Sequence, residues 1–176
     1  QFSEQFSAAL IIEHPYGSDI EYPDVDMTSA TKGSAMLGGT KANVESAMIS
    51  LIGRYKFNEN WGVHAGMRAS KASADIRLQG GAYRQLSGYR AKMSDDTSLG
   101  WLAGVSRERP DIAARVALTY YSDIDREFDT KEFMGAVQVA QGSTDVTTPA
   151  MLALDFQTGV APTTLVFGQT RRTSWP

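Results

Sequence analysis

The chain has 176 residues, a hydrophobic share of 42%, a formal net charge of −3 and no cysteine. So small a charge, with Lys and Arg scattered rather than blocked, excludes the footprint of a nucleic-acid binder; the lack of Cys excludes disulfides, thiolate chemistry and cysteine metal sites. No window approaches the ~18 uncharged apolar residues of a transmembrane helix, a test to which β-strands are blind because half their side chains face another surrounding.

Phe6 to Glu13 reads as a first strand, broken by His14-Pro15-Tyr16-Gly17. Proline has no N–H to give a ladder, and glycine marks a bend. Residues 18–41 mix Asp, Thr, Ser, Gly and Lys without period, which predicts a long polar loop. Ala42 to Ala74 then carries the strongest pattern in the chain. Ala47, Ile49, Leu51, Gly53, Tyr55 and Phe57 alternate with Ser46, Met48, Ser50, Ile52, Arg54 and Lys56. After Asn58-Glu59-Asn60, the positions Trp61, Val63, Ala65, Met67 and Ala69 resume the apolar phase. A period of two puts one parity on each face, so this is a β-hairpin with one apolar and one polar face. Its arms outrun the five or six residues usual in soluble proteins and suit the roughly nine to eleven of a membrane-barrel strand. Tyr55, Phe57 and Trp61 gather at the turn end, as an aromatic girdle would. Past Ala69 the apolar residues move to even positions (Ala72, Ala74, Ile76 and Leu78), predicting a bulge near Ser70 to Ala72.

Residues 79–97 predict a second long loop. From Ser98, Leu99, Trp101, Ala103 and Val105 share a face, and residues 107–111 make a short turn around Pro110. The next strand turns Ala114, Val116, Leu118 and Tyr120 outward, with Arg115, Thr119, Tyr121, Asp123 and Asp125 inward. A third loop is expected over 129–145. Ala150, Leu152, Leu154 and Phe156 then alternate with Met151, Ala153, Asp155 and Gln157 before a tight turn at 159–163 and a final strand of open facing. The fold class is all-β: an antiparallel up-and-down meander of about seven long strands, part of a larger transmembrane β-barrel. Connections alternate short and long, as in outer-membrane barrels, and bacterial barrels close with an even strand number. Residues 1–176 are therefore expected to be a single domain and a fragment of such a barrel, lacking a signal peptide and the remaining strands.

Several segments in order resemble the FadL family of outer-membrane long-chain fatty-acid and aromatic-hydrocarbon transporters. They are Tyr55-Lys56-Phe57-Asn58-Glu59-Asn60-Trp61, Gly100-Trp101-Leu102-Ala103-Gly104-Val105, Ala117-Leu118-Thr119-Tyr120-Tyr121-Ser122, Val146-Thr147-Thr148-Pro149 and Thr170 to Trp175. The resemblance implies a barrel of about fourteen strands, within the range known for such pores. It also implies a lumen plugged by an N-terminal hatch, and a sideways exit at a kinked strand, matched here by Ser7 to Gly17. The hatch is not in this sequence, so its contacts do not carry over. The loops at 79–97 and 129–145 are short where the family builds an apolar capture groove.

The expected function is passive transport of hydrophobic small molecules across a bacterial outer membrane, by a barrel taken as monomeric and surrounded by membrane lipid, with no nucleic acid, cofactor or metal. His14 and His64 have no metal-binding spacing and no nucleophile motif accompanies them, so no catalytic residue is assigned. Lumen positions expected to meet ligand are Met48, Ile52, Arg54, His64, Arg68, Leu102, Arg115 and Met151. Two readings of their charges stand: Arg54, Arg68, Arg115 and His64 hold a carboxylate, or they hydrate the interior and pair with Asp123, Asp125 and Asp155. His14, Pro15, Tyr16 and Gly17 are either the lateral opening or the start of the outer loop. Two other functions remain at this stage: an adhesion or structural barrel, and a soluble lipocalin-like binding barrel with its apolar face inward.

Overall fold

Period-two patterning becomes antiparallel sheet in the computed structural model, which describes residues 3–24 and 33–174. The strands are β1 (Phe6–Glu13), β2 (Gly17–Glu21), β3 (Lys41–Lys56), β4 (Trp61–Leu78), β5 (Tyr89–Arg109), β6 (Ala114–Tyr121), β7 (Ile124–Met134), β8 (Val137–Thr148), β9 (Met151–Ala161) and β10 (Thr164–Thr173). They form one sheet in the order β1-β3-β4-β5-β6-β9-β10, with β2 on β3 and β7 joining β5 to β8. Every pairing is antiparallel. The ten strands make up the seven expected traverses, because β1–β2, β6–β7 and β8–β9 are single crossings interrupted at 14–16, 122–123 and 149–150.

Cross-strand register fixes the facing. Leu10, Leu51, Met67 and Trp101 form one lateral row, and Ile12, Ile49, Ala69 and Leu99 the next. Val105, Leu118 and Leu154 continue the same face across the far strands. Ile49, Leu51, Tyr55, Val63, Leu118, Leu152 and Leu154 are all exposed on it, Leu51 by 59%. A soluble lipocalin-like barrel would turn this face inward, so that alternative fails. On the opposite face Met48, Ser50, Ser70, Leu102, Ser106, Ala117, Thr119 and Ala153 are buried. A contiguous exposed apolar band this broad calls for an apolar surround.

Three expectations about the upper part of the sheet need correction. The long loops hold strand: 129–145 is a hairpin turning after Met134, β5 begins at Tyr89 within 79–97, and β2 with Lys41 of β3 takes a small part of 18–41. Part of the first expected loop, 25–32, lies outside the described residues. Nor is there a bulge at Ser70 to Ala72, since β3 and β4 keep one register from Lys41↔Arg77 to Lys56↔Gly62. Ala72, Ala74, Ile76 and Leu78 point inward and Lys71, Ser73, Asp75 and Arg77 outward because the exterior changes from apolar to wet there. The bulge lies on β5 instead, at Ser94-Asp95 opposite Ser73. Finally, Asp125 faces outward, not inward, accepting a hydrogen bond from Thr147 Oγ1 at 2.7 Å. The break at Ser122-Asp123 reverses parity, so that Ile124, Arg126, Phe128 and Thr130 become the buried set.

Candidate ligand-binding lumen

Every lumen residue expected from the sequence lies on the inward face, where β1, β3, β4, β5, β6, β9 and β10 supply one parity each. Five of them, Ile52, Arg54, His64, Leu102 and Arg115, line a cavity of about 710 Å³. Both edge strands contribute to it, through Ser7 and Ala9 on β1 and Phe167 and Gln169 on β10. Met48, Arg68 and Met151 share the face without lining this cavity. Tyr121, Asp155 and Gln157 do line it, and their inward parity was legible in the alternation. Phe167 and Gln169 were not, because β10 has no clean apolar parity; pairing with Gln157 and Asp155 assigns them inward.

Local packing explains how large polar side chains lie flat against this wall. His64 reaches across β5 to β6, where Nε2 stands 2.9 Å from Thr119 Oγ1. It passes directly over Gly104, where a Cβ would come within 2.5 Å of Nε2. Gly100 plays the same part under Ile124, whose Cγ1 would lie 2.8 Å from a Cβ there. Alternating glycines on β5 thus lower the floor of the lumen by a side chain.

The lumen cations are held by the protein itself. Near the short-turn end, Glu108 accepts from Arg54 and from Lys56, the latter at 2.9 Å, and Arg115 Nε stands 3.6 Å away. This replaces the expected pairing with Asp123, Asp125 and Asp155. Three cations around one carboxylate leave surplus positive charge, and the Nε atoms of Arg54 and Arg115 have no hydrogen-bond partner among the described residues. Higher up, Arg68 Nη2 donates to Met48 Sδ at 2.9 Å, and its guanidinium lies 5.0 Å from the Tyr121 ring centroid. Asp155 accepts instead from Gln169 Nε2. No cluster of metal-ligating side chains occurs among the described residues.

The first traverse breaks where expected. Glu13↔Met48 is the last pair of β1 and Gly17↔Glu45 the first of β2, leaving three residues opposite two. Ser46 closes the gap: Tyr16 N–H donates to its Oγ at 2.9 Å, its hydroxyl donates to the Tyr16 carbonyl, and its own carbonyl lies 2.8 Å from His14 Nδ1. A cavity of about 420 Å³, lined by His14, Tyr16, Gly17 and Ser46, adjoins the break. Its other walls include Ala47, Lys71 and Ser73, so it lies on the outer side of the sheet.

A sequence model for outer membrane protein transport proteins (OMPP1/FadL/TodX) matches residues 1–175. Comparison with curated proteins gives no match. Among solved structures, a Pseudomonas aeruginosa FadL homologue superposes with a TM-score of 0.69 at 15% identity, covering 99% of this chain and 46% of that one. The Ralstonia pickettii toluene transporter TbuX gives 0.64 at 14% identity, covering 96% of this chain and 50% of that one. The chain thus spans about half the length of these structures, and at such identities the likeness is one of fold.

Proposed function

Since this chain belongs to the outer membrane protein transport family (OMPP1/FadL/TodX), we propose that it forms part of a passive transporter of hydrophobic small molecules, long-chain fatty acids or hydrocarbons. Its place is the bacterial outer membrane, where the exposed apolar face meets the bilayer. The observation that carries the reading is the inward cavity of about 710 Å³, whose wall combines Ile52, Leu102 and Phe167 with a few polar groups. That composition suits an apolar ligand oriented by a small number of polar contacts. Transport is binding and diffusion, without covalent chemistry, cofactor or oligomer.

In this reading Ile52 and Leu102 contact the ligand's chain, with Met48 and Met151 continuing the path on the same face. The surplus charge of Arg54 and Arg115, with His64 beside them, receives a ligand carboxylate through charge-assisted hydrogen bonds. The break at His14, Pro15, Tyr16 and Gly17 is the lateral exit. The break lies at the upper edge of the apolar band, level with Lys71 and Ser73, where a cavity adjoins it.

Replacing Pro15 and Gly17 together by Val should restore pairing and slow uptake of hydrophobic ligand by cells, at unchanged expression and folding. Wild-type uptake rates in that double variant would place the exit elsewhere. Uptake lost with the break intact, in Leu102→Arg, would tie transport to the cavity.

A further inference from the structure

Above the apolar band, the outer face of the sheet is hollow. Lys41, Asn43, Asp75, Arg77, Arg90 and Lys92, all of outward parity, line a concavity of about 1240 Å³. The outer face of a barrel wall is ordinarily convex, so a hollow here makes a pocket of what would be a surface.

Its charges are unevenly compensated. Lys41 is paired with Glu21 at 3.0 Å, Lys71 with Asp95 at 2.6 Å, and Arg90 with Asp75. Glu45 lies at the rim, without an ion pair among the described residues. Arg77 and Lys92 are exposed and, among the described residues, make no close ion pair or hydrogen bond; the acid opposite Lys92, Asp75, is bonded to Arg90. Register sets Arg77 directly opposite Arg90, and Lys92 between Asp75 on β4, which Arg90 already engages, and Lys131 on β7. Lys41, Arg77 and Arg90 therefore form one lateral row of cations on three adjacent strands. Like charges directly opposite destabilise a sheet, unless an anion sits between them.

Height selects the anion. Lys71 is the first charged outward residue beyond the Ile49–Ala69–Leu99 row, and Arg77 lies six residues further along β4. At ~3.3 Å per residue and a ~40° tilt, Arg77 stands roughly 15 Å above Lys71. An ordinary phospholipid headgroup layer is only about 5–8 Å deep. A phosphorylated sugar head reaches further, and its hydroxyls find Asn43 and Asp75 in the same hollow.

We propose that this hollow binds the phosphorylated sugar head of an outer-leaflet glycolipid, with Arg77 and Lys92 gripping phosphate and Arg90 and Lys131 beside them. The site continues the bilayer-facing band upward and is independent of what passes through the lumen. The full-length protein in detergent is titrated with a rough-type lipopolysaccharide, with the same glycolipid after enzymatic dephosphorylation, and with phosphatidylglycerol. Binding is read by native mass spectrometry, and heat-modifiable gel mobility confirms folding. Removing both free cations (Arg77→Gln with Lys92→Gln) should weaken the first probe roughly 25-fold, about five-fold per cation. Dephosphorylation should weaken binding to the wild type comparably, and Arg77→Lys with Lys92→Arg should keep most of it. Equal affinity of the double Gln variant, or phosphatidylglycerol binding as tightly with the same loss, would overturn the assignment.

Discussion

The lower and upper halves of the β3–β4 hairpin share one continuous register and opposite chemistry. In the lower half Ile49, Leu51, Val63 and Met67 face out, while Met48, Ser50 and Ser70 are buried within. In the upper half Lys41, Asn43, Asp75 and Arg77 face out, and Ala42, Val44, Ala74 and Ile76 face in. Nothing in the backbone changes between them. The difference teaches that alternation records the surround of each face, not the pleat alone: the apolar parity flips where the exterior passes from bilayer to water.

The largest test of that contrast is a charge on either half. Leu51→Arg or Leu118→Arg should cost about 2–4 kcal/mol near the bilayer midplane. Ser73→Arg, also outward but above the band, should stay within ~0.5 kcal/mol. Urea unfolding in lipid vesicles measures both, and equal costs would break the comparison. Next in size is a methyl group on the lumen floor. Gly104→Ala should cost about 1–3 kcal/mol by pressing on the Leu118 carbonyl of β6 as well as on His64. Gly142→Ala, in upper strand β8 with nothing within 4 Å, should be nearly neutral.

The junction between the halves gives a smaller effect. Ser46→Ala removes the hydroxyl that serves the Tyr16 N–H and carbonyl, and should cost about 1 kcal/mol. Faster hydrogen exchange at the Tyr16 amide, with β4 unaffected, would identify the cause. Smallest of all is the exposed pair in the upper half. The hydrogen bond from Arg90, aided by its charge, holds the Asp75 carboxyl below the usual carboxylate range, while partial burial opposes the shift. Its contribution is thus fully present above the ordinary carboxylate pKa and is lost as pH falls through the lowered folded value. Solvent screening keeps it well under ~1 kcal/mol. Arg90→Met should flatten that acid limb of the stability profile, and an unchanged limb would assign the acid sensitivity to other carboxylates.

Much of the candidate site was legible before any coordinates. Strict alternation over 46–57 and 61–69 put Ile52, Arg54, His64 and Arg68 on the inward face, and the structure keeps them there. His14-Pro15-Tyr16-Gly17 declared its break because proline cannot donate to the ladder. The upper strands were hidden for a definite reason. With water on their outer face and small residues such as Ala91 and Gly142 within, their composition is that of a polar loop.

Sequence by itself determined the antiparallel meander, its seven crossings and the parity of β3, β4, β5, β6 and β9 at membrane level, because those follow from a period of two and the chain's own turn residues. Tertiary structure alone decided the partners across strands. Glu108 lies one short turn from Arg115 but far in the sequence from Arg54 and Lys56, and gathers all three only once β3, β5 and β6 lie side by side. The parity reversal at Ser122-Asp123 likewise depends on how two neighbouring crossings bend together at 122–123 and 149–150. A strand's pattern reports its two faces, whereas the residue beside it is set by register with a strand many positions away. Register is a property of the assembled sheet.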